Sequence, residues 1–271
     1  MDPGQADTFH ALHAGPGILV LPNAWDAASA ALMDDAGARA VATSSAAVAW
    51  AHGYPDGDLL PTDRLIGTIA EIARVIDVPL TADIEGGYSD DLSALAHTVT
   101  RVIDAGAVGA NLEDGQRDPE LHARKLEAAR KAAEAAGVRL FINARIDVYL
   151  HGLAEGEAAF QETLRRAELY RSAGADGIFV PWPTDAALIG RLAAAIPLPL
   201  NVMSRAGAPP AAELQTLGVR RLSSATALFR AAYAPLMKAA EAFLTQGDPT
   251  ALAAAGPGLA NLNARFAGRK P

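Results

Sequence analysis

The residues of this sequence best suited to chemistry are carboxylates set close together. Thr81-Ala-Asp83-Ile-Glu85-Gly-Gly-Tyr88 carries two acids two residues apart on a β-prone run, a spacing that puts both side chains on one side of a strand as it ends. Asn111-Leu-Glu113-Asp114 ends the following run, and Asp56 lies in the loop segment His52-Gly-Tyr-Pro-Asp56-Gly-Asp58. Clustered carboxylates repel one another unless a cation neutralises them. An all-oxygen set without cysteine or grouped histidines selects a hard ion, Mg²⁺ or in its place Mn²⁺. Asp83, Glu85, Glu113 and Asp56 are therefore the candidate metal acids. Asp114, Asp90 and Asp91 stand beside expected helix starts and are read as caps, where an acid meets the free N–H groups and the positive end of the helix dipole.

Around these acids lie groups suited to an anionic substrate. Arg145, in Asn143-Ala-Arg145-Ile-Asp147, either pairs with the acids or grips a substrate carboxylate with its two-pronged donor geometry, and the setting favours the substrate. Thr43-Ser44-Ser45-Ala46 offers hydroxyls and small side chains that let backbone N–H groups approach an anion; the competing reading is an ordinary polar turn. In Leu21-Pro-Asn23-Ala-Trp25-Asp26, Asn23 or Asp26 caps the next helix while Trp25 packs over the pocket. Ser44, Ser45, Trp25 and Asn201, the last in the run Pro199 to Met203, form the expected substrate-binding set. Tyr88, His52 and a metal-bound water are the candidates for proton transfer. The six histidines are scattered and none has ligand spacing. Gly86-Gly87 is wrongly framed for a dinucleotide fingerprint, no Walker motif is present, and no lysine ends a strand where a Schiff base would form.

Positioning such a set requires many strand ends facing one way. Ala-Gly or a close equivalent precedes a β-prone run at Ala36-Gly37, Ala105-Gly106, Ala136-Gly137, Ala173-Gly174 and Leu217-Gly218, the pattern of a helix closing on a left-handed glycine before a buried strand. The runs are Gly17 to Leu21, Ala40 to Ser44, Leu80 to Glu85, Val108 to Glu113, Arg139 to Arg145, Gly177 to Pro181, Pro199 to Met203 and Arg220 to Ser223. Segments with helical apolar spacing separate most of them, among them Pro61 to Ile76, Asp91 to Ile103, Leu121 to Ala136 and Glu155 to Ser172. Near-continuous apolar strands alternating with helices predict a parallel sheet, and 271 residues suit a (β/α)8 TIM-type barrel forming one domain over 1–271. The barrel is preferred to a doubly wound open sheet because polar residues collect at the C-terminal end of nearly every run. Thr226 to Gln246 and Pro249 to Phe266 read as C-terminal helices without chemical motifs, and the polar start of the chain and Ala267 to Pro271 read as tails. The 225–266 stretch is expected to serve subunit packing.

Composition narrows the partners. With 23 Lys+Arg against 31 Asp+Glu the formal net charge is −8, which argues against a nucleic-acid partner. Hydrophobic residues make up 51% and charged ones 20%, enough apolar surface for a large core. No apolar run approaches the ~20 residues that span a bilayer and no leader is recognisable, so a cytoplasmic location without membrane association is expected. The chain has no cysteine, which excludes disulfides, thiolate metal sites and a cysteine nucleophile.

Taken together and in order, Leu-Pro-Asn23-Ala-Trp-Asp26, Thr43-Ser44-Ser45, Gly53-Tyr-Pro-Asp56, Ala82-Asp83-Ile-Glu85-Gly-Gly-Tyr88, Asn111-Leu-Glu113-Asp114-Gly and Ile142-Asn-Ala-Arg145-Ile-Asp147 resemble the isocitrate lyase/phosphoenolpyruvate mutase superfamily over about Gly17 to Ser224. The resemblance implies a barrel whose eighth helix is exchanged between neighbouring subunits, usually in tetramers, and a homo-oligomer, dimer or tetramer, is expected. It also implies one Mg²⁺ held through Asp83, Glu85, Glu113 and, by way of water, Asp56, with Ser44 and Ser45 on the substrate carboxylate and Arg145 as the active-site arginine. Members of the family make or break C–C or P–C bonds beside a 2-oxo acid through a metal-held enolate. Its lyases carry a Lys-Lys/Arg-Cys-Gly-His loop after the fourth strand, and its mutases a longer closing loop with a lysine and an asparagine. Here Glu113-Asp-Gly-Gln-Arg117-Asp118-Pro119 runs almost directly into a helix and has neither.

The expected function is cleavage of a C–C bond in a small 2-oxo or 2-hydroxy carboxylic acid. P–C chemistry of the phosphoenolpyruvate mutase or phosphonopyruvate hydrolase kind is an alternative, for which only Arg117, Arg124 and Lys125 lie near the right loop. A degenerate metabolite-binding member is another.

Overall fold

The computed structural model describes residues 3–255, 258–259 and 261–269. Its strands are β1 (Leu19–Leu21), β2 (Asn23–Ala24), β3 (Val41–Thr43), β4 (Leu80–Asp83), β5 (Gly109–Glu113), β6 (Phe141–Arg145), β7 (Gly177–Phe179), β8 (Leu200–Met203) and β9 (Arg221–Ser223). All pairings are parallel, in the order β1-β9-β8-β7-β6-β5-β4-β3-β2. β1 and β2 are two halves of one stave broken at Pro22, the first half pairing with β9 and the second with β3. The result is an eight-stave barrel, nearly closed, as the strand and helix alternation predicted. Asn23 fastens the seam and does not cap a helix: its Nδ2 donates to the Thr43 carbonyl at 2.7 Å, and its Oδ1 accepts from Ala225 N–H and the Ser224 hydroxyl.

Helices α2 (Ala27–Asp35), α3 (Ser45–Ala51), α4 (Thr62–Val75), α5 (Leu92–Asp104), α6 (Pro119–Ala135), α7 (Gly156–Ser172), α8 (Ala186–Ala195) and α9 (Ala211–Thr216) follow the staves in turn. Short polar side chains start several of them: Asp26 forms a capping box with Ser29 on α2, and Asp91 accepts from Ala94 N–H on α5. Gly106, at φ 110°, shows how the Ala-Gly pairs work, because the left-handed turn it takes redirects the chain from α5 into β5. Outward side chains such as Ile142, Ile178, Leu200 and Val202 form one core with the helices.

Two expectations about the chain ends need correction. The start of the chain is not a tail: α1 (Pro3–Ala14) buries Ala6, Phe9 and Leu12 against Leu19, Ala42, Val108 and Phe141, plugging the barrel floor. Those three apolar residues repeat every third position among polar neighbours, a stripe too sparse to stand out. At the other end, α10 (Ala227–Gln246) matches the expected helix, but 249–266 holds two short ones, α11 (Thr250–Ala255) and α12 (Leu262–Phe266). Of the expected tail, 270–271 lie outside the described residues. Arg265 on α12 pairs with Asp34 and Asp35, and Arg269 just beyond the helix pairs with Asp77, so this end of the chain is tied to the barrel. Among the described residues no helix is long and apolar enough to cross a membrane.

Candidate active site

Three strand ends bring charged groups together at one face of the barrel. Asp83, Glu113 and Arg145 are the last residues of β4, β5 and β6, and Glu113 and Arg145 are register partners. Arg145 Nη1 lies 2.6 Å from Glu113 Oε2, and its Nε donates to Asp147 Oδ1 at 2.7 Å. Burial opposes the charge of Arg145, but Glu113 and Asp147 outweigh it and hold the guanidinium firmly protonated. Asp83 is fastened from β3: its N–H donates to Thr43 Oγ1 at 2.7 Å, and its Oδ2 accepts the Ser45 N–H at 3.0 Å. Asp56 reaches in from the loop after α3. Partial desolvation and then the charge of Asp83 raise its carboxyl, against the pull of the Ser45 hydroxyl and Arg145. Glu113 is raised too, mainly by burial.

Glu85 departs from the strand alternation expected of it. β4 ends at Asp83, and Glu85 takes a left-handed backbone at φ 51°, so its side chain is aimed by a turn. Its Oε2 accepts the N–H groups of Gly57 and Asp58 and its Oε1 accepts the Tyr88 hydroxyl at 2.7 Å, which makes it the anchor of the Asp56 loop. Asp58 completes the clamp by accepting from Gly86 and Tyr88 N–H and pairing with Arg117 at 2.6 Å. The sequence does not mark Asp58 and Arg117 for this role, although the Asp-Gly-Asp turn is visible in it. A side chain at Gly86 would meet the Arg117 guanidinium and have to push it from its place on Asp58.

The other expected site residues divide. Ser44 caps α3, accepting from Ala47 N–H at 3.5 Å, and Ser45 joins the acids directly. Trp25 is buried with its ring edge-on to Phe229, 5.2 Å between centroids, at the start of α10. Three residues are engaged in ways the sequence did not indicate. His52 ends α3 with Nε2 on Thr68 Oγ1 at 2.8 Å, because the helix turns it onto α4 and away from the acids. Tyr88 is close, but its hydroxyl proton rests on Glu85, and burial followed by that charge pushes the phenol far above its usual range, a poor acid. Asn201 lies two residues before the end of β8, inside the lumen below the mouth, with Nδ2 on Ser223 Oγ at 3.2 Å. Asp114 is a buried hub and no cap: it accepts Asp147 N–H, Arg166 Nη1 and the Tyr170 hydroxyl at 2.8–2.9 Å, while Asp118 caps α6. Asp90 binds Arg117 and Lys125.

The donors suit a hard divalent ion. Behind burial, the charge of Asp83 contributes to raising Asp56, Glu85 and Glu113, so these carboxyls lie near enough to feel one another. Among the described residues no three of these acids stand close enough together to hold an ion directly. Only 114–118 separate β5 from α6, and Asp114 and Arg117 occupy that link structurally.

Comparison with known proteins gives a consistent picture. Residues 9–244 match the family described as phosphoenolpyruvate phosphomutase. An uncharacterised protein of Mycobacterium tuberculosis (strain ATCC 25618 / H37Rv) is 35% identical, over 83% of this chain and 84% of its own. The 2-methylisocitrate lyase of Bacillus subtilis (strain 168) is 31% identical over 64% of this chain and 58% of its own. Among solved structures, a protein of Burkholderia cenocepacia J2315 provisionally described as a phosphonomutase superposes with a TM-score of 0.82 at 42% identity, over 89% of this chain and 99% of its own.

Proposed function

The chain belongs to the phosphoenolpyruvate phosphomutase family, within the isocitrate lyase/phosphoenolpyruvate mutase superfamily of lyases and mutases, and on that premise we propose that it is a Mg²⁺-dependent lyase cleaving a C–C bond in a small 2-oxo or 2-hydroxy acid. The observation that carries this reading is the distribution of cations. Arg145 stands among the acids, paired with Glu113 and Asp147, whereas of the three cations near the short loop Arg117 and Lys125 are committed to Asp58 and Asp90 and Arg124 lies exposed on α6. A carboxylate needs one two-pronged donor, while a travelling phosphoryl group needs several free ones.

In this reading Asp83 and Glu113 hold the ion, Asp56 acts through water, and Glu85 keeps the Asp56 loop in place. Magnesium supplies positive charge that favours an oxyanion developing on the substrate. Ser44, Ser45 and Arg145 orient the substrate carboxylate beside it. The protein offers no cysteine, Tyr88 is committed to Glu85, and His52 faces α4, so the proton for the departing carbon comes from solvent. Losing a positioned acid costs about 10²- to 10⁴-fold in rate, which favours compact substrates whose fragment leaves without such help. Oxaloacetate is one: its C–C bond breaks to release CO₂, and water protonates the remaining carbon to give pyruvate.

The test is incubation with Mg²⁺ and oxaloacetate, substituted malates, isocitrate or methylisocitrate, with pyruvate, glyoxylate and oxalate followed by chromatography. Turnover is expected on the compact acids and little on the isocitrates; isocitrate cleavage at an ordinary metabolic rate would overturn the argument from the missing loop. The 42% identity with the phosphonomutase-described structure favours P–C chemistry as a second reading, and conversion of phosphonopyruvate under the same conditions would establish it.

A further inference from the structure

Inward-facing side chains of ordinary (β/α)8 barrels are bulky and branched. Here the layer directly below the mouth is polar: Thr81, Asn111, Asn143, Asn201 and Arg221 are all buried. Arg221 is 1% exposed and crosses the lumen from β9 to β5, where its Nη2 meets Asn111 Oδ1 at 3.2 Å. β9 and β5 stand four places apart in the sheet order, so the guanidinium lies close to the barrel axis. Asn111 is the register partner of Asp83 and lies two residues before Glu113. The charge therefore sits just beneath two of the acids.

Among the described residues no carboxylate pairs with Arg221, and its Nε and Nη1 are buried without a hydrogen-bond partner. Below it, His13 is buried and stacked on Phe141, 4.0 Å between centroids, and stays neutral. A guanidinium remains protonated in proteins, and burying one without an opposite charge is costly. The countercharge available to it is the acid cluster above, Asp83 being the carboxylate whose field reaches it.

We propose that Arg221 is a positioning residue of the site, a fixed positive charge on the barrel axis under the carboxylates that weakens the hold on a bare divalent cation and strengthens the hold on the anion bound with it. A cation placed among the acids is repelled from below, and an anionic substrate placed over the floor is attracted. The inference rests on the magnesium reading above, and it goes beyond that reading by assigning a role to a residue that touches neither metal nor substrate.

The distinguishing feature is opposite signs. Arg221→Met removes the charge and keeps much of the volume. Calorimetric titration of the ligand-free protein with Mg²⁺ is expected to show tighter binding, and titration with oxalate at saturating Mg²⁺ weaker binding, each by at least about tenfold, the effect one unit charge has on another out to about 12 Å at an effective dielectric constant of about 20. Arg221→Lys should stay near the parent in both. If Arg221→Met does not fold, Asn111→Asp neutralises the guanidinium in place and should shift both affinities the same way as Arg221→Met. A role in packing alone would weaken both affinities together or change neither, and either result would overturn the proposal. A parent protein that binds no Mg²⁺ would overturn the magnesium reading beneath it, a result distinct from parallel changes in a parent that does bind.

Discussion

What each carboxylate can do here depends on what its oxygens already accept. Asp83 takes one amide on Oδ2 and its charge is felt by Asp56 and Glu113, whereas Asp114, one residue past Glu113, is consumed by Arg166, Tyr170 and the Asp147 amide. Asp83→Ala should therefore lose tight Mg²⁺ binding and stay folded. Asp114→Ala should keep a metal site when folded but lose about 3 kcal/mol of stability, because it strands a buried arginine that Glu162 only partly satisfies. Calorimetric titration and thermal melts of the two variants separate the cases; equal Mg²⁺ affinity in Asp83→Ala and the parent would end the metal assignment. The two acids lie in matching sequence settings, each near a strand end, and differ only in which way the backbone turns them.

At the scale of elements, α6 combines a buried cation with a buried neutral base. Lys125 is fully buried and reaches Asp90, and His122 is buried against the Tyr170 ring with neither ring nitrogen bonded. Burial, then the charge of Lys125, lowers the His122 pKa to about 3, and burial, then the charge of Arg221, lowers His13 in α1 to about 3. Between that value and the ~6.5 of an exposed imidazole the unfolded chain binds a proton that the native chain refuses. Stability from this source is complete above pH 6.5 and falls on acidification toward pH 3, by up to about 1.4 kcal/mol per pH unit for each histidine. The melting temperature should drop between pH 7 and pH 5, and His122→Phe should drop less. An identical decline in the variant would assign the acid lability elsewhere. The pairing that matters here, α6 on α7 through His122 and Tyr170, follows from helical spacing once the helices are placed side by side, but the lack of a ring partner does not.

For the whole molecule the unfinished business is α10. None of its 20 residues is buried, and Leu236, Met237 and Leu244 are among its exposed apolar side chains. Beside it the outer face of β1 is open, with Val20 55% exposed where helices cover the other staves. A trough of about 920 Å³ lined by Val20, Leu32, Met33, Leu222 and Leu236 runs between α2 and α10. The occupant proposed for it is α10 of a second copy, since one apolar helix and one apolar trough per chain complement each other, and each Å² of apolar surface covered contributes about 25 cal/mol. Light scattering should show a dimer or larger assembly at micromolar concentration, and Leu236→Glu with Met237→Glu should dissociate it. A stable parent monomer would count against it.

Several properties were determined by the sequence alone. The alternation of apolar strands and helices, with glycines at the helix ends, specified a parallel sheet because both periodicities are local, and the polar residues at the strand ends favoured its closure into a barrel. The residues Asp83, Glu113 and Arg145 were legible because each ends a strand, and parallel strands put their ends on one face. The lyase cysteine was excluded by a chain that has no cysteine, and the closing loop by a link of five residues after Glu113. Only the tertiary structure decided the rest. The left-handed turn at Glu85 cancels the alternation that would have aimed it beside Asp83, and hands it to amides 27 and 28 residues earlier in the chain. His52 and Tyr88 find partners that remove them from proton transfer, and Arg221 reaches Asn111 across 110 residues. Such contacts depend on which groups the closed barrel brings within about 3 Å of one another, and no local spacing encodes that distance.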